Sequence, residues 1–274
     1  MIIRPSRGML EIPFKEIWGY RDLLLLLVRR DFVAMYKQTV LGPLWFVIQP
    51  VMITLVFTVV FGNIANISTD GLPHMAFYLA GVTCWSYFSD SLTKTSETFT
   101  QNANIFGKVY FPRIIVPLSI IVSNLLKFFV QFILFMGFVV YYWTSDSGVS
   151  PNITILLLPI LIMIMGGIGL GVGMIFSSLT TKYRDLRFLL TFGVQLVMYA
   201  TPVIYPLSTL PEKYKIFILA NPITPIIETF RFAFLGKGSF EIFHLLYSFI
   251  FMIVVLIIAL IIFNQVEKNF MDTV

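Results

Sequence analysis

The sequence predicts an all-α polytopic membrane protein of about six transmembrane helices, with an N-terminal amphipathic interface helix and re-entrant gate helices between the fifth and sixth spans. Three observations carry this. The 274 residues are 58% hydrophobic and 12% charged, whereas soluble domains average about 25% charged and at most about 50% apolar residues. Apolar runs near the roughly 20-residue length of a spanning helix recur along the chain. The charges between those runs segregate by side, as the positive-inside bias requires.

At the N-terminal end, residues 1–15 carry Arg4, Arg7, Pro5 and Pro13 and read as irregular. No apolar stretch there ends in a small-residue cleavage site, so no cleaved signal peptide is expected. Residues 16–40 have a helical, amphipathic pattern. The run Leu23–Val28 is too short to span and is flanked by Arg21, Asp22, Arg29, Arg30 and Asp31. Such a helix lies in the interface plane or packs as a cytosolic helix on protein. Spans are predicted at residues 44–61, 75–92, 112–143, 153–179, 188–204 and 243–263. Pro112 is placed in the first turn of the third. In the fourth, the pairs Gly167/Gly171 and Gly169/Gly173 are small-residue signals for close helix packing. The pieces between spans are too small for a second domain, so residues 1–274 form a single transmembrane domain.

With the N-terminus inside, only Lys213, Lys215, Arg231 and Lys237 of the 19 Lys and Arg fall outside, and Lys127 lies within a span. Both termini are therefore expected in the cytoplasm. The net charge of +5 is spread along the chain, which points to orientation and membrane lipid and to no nucleic-acid partner. Cys84 is the one cysteine and sits in an apolar run, so no intramolecular disulfide is expected.

The segment 205–241 is apolar but is interrupted by Pro206, Pro211, Pro222 and Pro225, a density that breaks a spanning helix. Residues 220–235 read as one or two short helices dipping into the outer leaflet, which requires cover by protein or a cavity, or as an external loop with an apolar underside. The first of these points to an outward-facing gate.

No Gly-x-x-x-x-Gly-Lys-Ser/Thr phosphate loop, His-Glu-x-x-His, Asp-x-Asp or Gly-x-Ser-x-Gly motif occurs, so ATP binding of that type, zinc hydrolysis, metal-dependent glycosyl transfer and Ser hydrolysis have no basis. The chain is expected to hold no cofactor or metal. For a membrane-embedded enzyme acting on glycolipids, the candidates reduce to Asp90 and His74. Lys127 is the one charge deep in a span and reads as a bundle contact to a carbonyl or hydroxyl. Too few carboxylates lie deep for coupling to an ion gradient.

Two spans carry polar-aromatic stripes: Trp45, Gln49 and Met52 in the first, and Thr191, Gln195 and Tyr199 with Phe192 in the fifth. Aromatic faces stack on sugar rings and amides bond hydroxyls, which suits a passage for sugars. The alternative is interhelix bonding and interfacial anchoring. In the polar segment 96–110, Ile105, Phe106, Val109 and Tyr110 share one face of a short helix. That face is either a docking knob for a partner or lies back against the membrane.

The run from Tyr36 to Trp45, Tyr-Lys-Gln-Thr-Val-Leu-Gly-Pro-Leu-Trp, with Gln49-Pro50 just after it, resembles the start of the first span in type-2 ABC transporter permeases, most of all those exporting O-antigen, teichoic acid and related lipid-linked polysaccharides. Asn104-Ile105 with the run Lys108–Arg113, the run Lys182–Leu186, the runs Thr201–Tyr205 and Asn221–Pro225 with Glu228 and Arg231, and the run Glu267–Asp272 are similar to family segments in the same order. The resemblance implies a homodimeric channel in the cytoplasmic (inner) membrane, with two separate ABC ATPase subunits beneath it that bind ATP and Mg. It implies that residues 96–110 form a coupling helix seated in the ATPase. It further implies that the path runs between the first and fifth spans, and that Tyr205, Pro222, Pro225, Glu228 and Arg231 belong to the outer gate. A drug or lipid is the alternative cargo.

Overall fold

The computed structural model describes residues 14–37, 39–106, 108–109 and 111–273. The expectation for residues 1–15 lies outside them up to residue 13, as does Tyr110. Among the described residues all regular structure is helical: α1 (Phe14–Gly19), α2 (Arg21–Ala34), α3 (Trp45–Phe57), α4 (His74–Ser96), α5 (Thr98–Phe106), α6 (Ile115–Thr144), α7 (Leu158–Thr180), α8 (Leu186–Tyr199), α9 (Glu212–Leu219), α10 (Thr224–Leu235) and α11 (Ile242–Thr273).

Four helical stretches among the described residues are long and apolar enough to cross a membrane: Gly42–Ile64, Ile115–Thr144, Ile153–Thr180 and Ile242–Val266. The pair α9 and α10, bent by 102°, makes a fifth if counted as one span. These cover the first, third, fourth and sixth predicted spans. The other two differ from expectation for separate reasons. Helix α4 has the length of a span, but its sequence holds many Ser and Thr residues as well as Asp90 and Lys94. It can be polar because it packs against α3, α6, α7, α8 and α10 and is largely buried. Helix α8 stops at Tyr199, at 14 residues, about 21 Å against a hydrocarbon core of about 30 Å. Pro202 lies just beyond, and the chain from there to Pro206 is not helical.

Other boundaries shift. The N-terminal helix ends at Ala34, well short of residue 40. It packs on α6 through Leu27 and Val28 and leaves Leu25 and Leu26 exposed. Pro112 lies before α6, its carbonyl accepting from the Ile115 amide at 3.0 Å, and Pro117 occupies the first turn instead, where a missing N–H is an orphan donor in any helix. Pro50 sits inside α3, and the helix widens into π turns over Thr58–Ile64.

The glycines of α7 divide between two neighbours. A Cβ on Gly169 or Gly173 would lie 3.0 Å from Ser91 Cβ or 2.6 Å from Thr95 Cβ on α4, and one on Gly171 would lie 2.8 Å from Val255 on α11. The two small-residue pairs thus seat α7 between α4 and α11. Gly137 on α6 has open space around it. Gly173→Val should therefore lower the stability of the detergent-purified protein by roughly 1–3 kcal/mol, while Gly137→Ala should leave it unchanged or raised. Thermal unfolding of both variants checks this, and equal behaviour would refute the packing assignment.

Candidate functional site

One end of the bundle is organised by Arg231. Helix α10 ends at Gly236 in the left-handed conformation, and its last carbonyls are met by the loop before α7. Ser150 and Asn152 amides donate to Leu235 and Ala233 carbonyls at 3.2 and 3.0 Å, and the Asn152 side chain donates to the Phe232 carbonyl at 2.7 Å. Every α10 residue except Phe232 is buried, so its backbone is covered by protein.

From that fixed helix Arg231, 1% exposed, reaches the break after α8. Its guanidinium donates to the Pro202 carbonyl and, at 2.7 Å, to the Val203 carbonyl. These carbonyls lie outside regular helix and need donors. The guanidinium also sits 3.7 Å from the Phe77 ring centroid and 3.4 Å from Glu228. Glu228 in turn accepts from the Ser239 amide at 3.2 Å. Gly81 opens the space: a Cβ there would lie 2.8 Å from the Arg231 guanidinium and 2.9 Å from the Val203 carbonyl oxygen. Asn221 donates to Thr201 at 2.7 Å, and the Pro222 carbonyl accepts from Ser248 of α11 at 2.7 Å. Tyr205 donates to the Tyr199 carbonyl at 3.1 Å. The fold thus gathers Tyr205, Pro222, Pro225, Glu228 and Arg231 into one region, joined to the end of α8. Phe77, Gly81 and Asn152 were not anticipated. The available signal was the buried charge itself, which demands acceptors.

The two stripes stay open. Trp45, Gln49 and Met52 on α3, and Thr191, Phe192, Gln195 and Tyr199 on α8, are all exposed or part-exposed in the single chain. Both helices pack against α4.

At the other end of the bundle, α5 does not present Phe106 outward. Phe106 is buried in an aromatic cluster with Phe99, Phe111 and Phe263, and Arg113 lies over its ring at 5.4 Å. The reason is periodicity: Phe99 and Phe106 are two turns apart and share the face turned to α11. Ile105 is half-buried and Val109 is exposed. The expected four-residue exposed knob thus loses Phe106, and the outward side of α5 carries Thr100, Gln101 and Asn104. Glu97, between α4 and α5, is ion-paired with Arg187 at the start of α8.

Lys127 finds a carboxylate where a carbonyl or hydroxyl was expected: Asp90 on α4, at 2.6 Å. His74 stacks on Tyr78, about 24 Å from Asp90 along α4. The two enzyme candidates therefore form no joint site. Among the described residues no group of His, Cys, Asp and Glu could hold a metal ion.

Fold and site together define a multi-pass membrane protein with a covered, bent helix pair at one end and two open polar-aromatic faces. The ABC-2 type transporter family matches over residues 22–235, and the chain belongs to that family. It is a transport permease and not an enzyme. It is 28% identical over 266 residues, 96% of this chain and 99% of the relative, to the O-antigen export system permease protein RfbA of Klebsiella pneumoniae. It is 27% identical to the RfbA of Myxococcus xanthus, over 80% of this chain and 83% of that one. It is 22% identical to the polysialic acid transport protein KpsM of Escherichia coli, over 87% and 91%.

Replacing Arg231 by Met leaves Glu228 buried without its cation and two carbonyls without donors, so a loss of about 3–5 kcal/mol is expected. Arg231→Lys should recover little of it, since one ammonium cannot reproduce the planar fork. Hydrogen exchange of the amides in 201–241 should rise first in both variants. Unchanged exchange there would show that Arg231 does not hold this end of the bundle.

Proposed function

We propose that the chain is the membrane-spanning subunit of an ATP-driven exporter that carries lipid-linked polysaccharide, O-antigen or a similar glycan, across the cytoplasmic membrane. The observation that carries this reading is the nearly end-to-end match to O-antigen export permeases. A second copy of the chain covers the exposed stripes of α3 and α8, and the glycan passes along the surface they form. Two ATPase subunits beneath bind ATP and Mg, consistent with the missing phosphate loop in this sequence. They press on α5 and the facing turn at Val109, and the ion pair from Glu97 to Arg187 relays the displacement to α8. At the outer side α9 and α10 are the gate, and Arg231 ties their movement to α4 and to the end of α8.

In this arrangement α4 and α8 complete six spans: α4 crosses shielded by its neighbours, and α8 crosses with the non-helical segment beyond its C-terminus. Both termini lie in the cytoplasm, and the exposed Leu25 and Leu26 of α2 face the lipid interface.

The purified chain alone should hydrolyse no ATP, and activity should appear only with an ATPase that carries the phosphate loop. Hydrolysis by the chain itself rules the reading out. Trp45→Ala and Tyr199→Ala should each lower surface polysaccharide in the native host roughly three- to tenfold, with protein levels unchanged. Normal surface polysaccharide in both variants would move the assignment toward a drug or lipid cargo.

A further inference from the structure

The inner half of the bundle carries an open cleft of about 580 Å³ between α2, α4, α5 and α6. Its walls are of two kinds: Met35, Val116 and Ile120 are apolar, and Lys94, Gln101 and Ser123 are polar. Asp31 and Glu97 also line it, but each has a cation of its own. Asp31 pairs with Arg30 at 2.8 Å, and Glu97 pairs with Arg187. Asp90, one turn away on α4, is held by Lys127 at 2.6 Å. Lys94 is left over. Its ammonium donates to Asn124 at 3.0 Å and lies 3.7 Å from the Met35 sulfur, and no carboxylate among the described residues is within ion-pair distance. An ammonium has three donors; this one is held by an amide and a thioether, and the charges of Asp90 and Asp31 reach it only from beyond ion-pair distance. The cleft borders α2, whose Leu25 and Leu26 are exposed beside charged residues, the pattern of a helix at headgroup depth.

We propose that this cleft binds the phosphodiester headgroup of an anionic membrane phospholipid. Lys94 supplies the counter-charge, Arg30 stands at the exposed rim, and Met35, Val116 and Ile120 take the first acyl carbons. Such a lipid bridges the interface helix α2 to α4 and α5, so that the stiffness of the inner face depends on anionic lipid. The inference rests on the chain lying in a membrane and not on its cargo; its failure leaves the exporter reading standing. A lipid-linked cargo's diphosphate and free phosphate offer the same chemistry, and the test separates them.

The full chain is purified in mixed micelles of phosphatidylcholine and phosphatidylglycerol, and the retained lipid is identified by native mass spectrometry. Phosphatidylglycerol should be retained in preference to phosphatidylcholine. Lys94→Met should lower that retention roughly tenfold, Lys94→Arg should keep it, and Lys213→Ala, on the outer side, should not alter it. Should Lys94→Met fail to fold by size exclusion, Ile120→Trp, which fills the apolar end and leaves Lys94 in place, must produce the same loss. Retention resistant to inorganic phosphate and to an equal concentration of a polyprenyl diphosphate supports the proposal. Displacement by either assigns the cleft to a free anion or to cargo and overturns it. Equal retention in Lys94→Met and the parent chain overturns it, as does loss of the lipid when the ATPase subunit binds.

Discussion

A buried guanidinium and a stretch of broken backbone make each other possible. In the interior of a membrane protein an unpaired charge and an unpaired carbonyl are each costly. The Arg231 fork satisfies two carbonyls after the end of α8, and those carbonyls with the Phe77 ring and Glu228 satisfy the fork. The rest of this end of the bundle is built around it. Gly81 is open to admit the guanidinium, α10 is short and covered so that it can aim the side chain, and the 150–152 loop closes the end of α10. An apolar residue at 231 removes the reason for α8 to stop where it does.

The same constraint shapes α4. It contacts Arg231 at one end and pairs with Lys127 and Asn124 toward the other. A helix surrounded by protein has no need of an apolar exterior, and in α4 the hydroxyl-bearing residues face the glycines of α7 where two backbones come close. The bundle therefore has an apolar, aromatic core with hydroxyls set into it where α4 meets α7, and an apolar outside as well.

The two ends are held by different forces. The α10 end is tied by directional bonds between side chains and backbone, which fix position and break one at a time. The α5 end is held by the packed rings of Phe99, Phe106, Phe111 and Phe263, contacts that tolerate sliding. Between them the faces of α3 and α8 that carry Trp45 and Tyr199 bury little in the single chain.

The sequence by itself determined the helical class, the clean apolar spans, the glycine contacts of α7 and the resemblance to type-2 ABC permeases. Those signals are local: residue composition and helical period act within a few turns, and lipid as solvent makes them strong. Three matters were decided only by the tertiary structure. Phe106 faces inward because it packs on Phe99 and Phe111, and Phe263, far along the chain, stacks on Phe99 to complete the cluster. Lys127 takes Asp90 because α4 and α6 pack side by side. Helix α8 ends early because an arginine from α10 can satisfy the carbonyls of Pro202 and Val203. Each depends on a partner distant in the chain, and hydropathy along a sequence carries no information about which distant groups will meet.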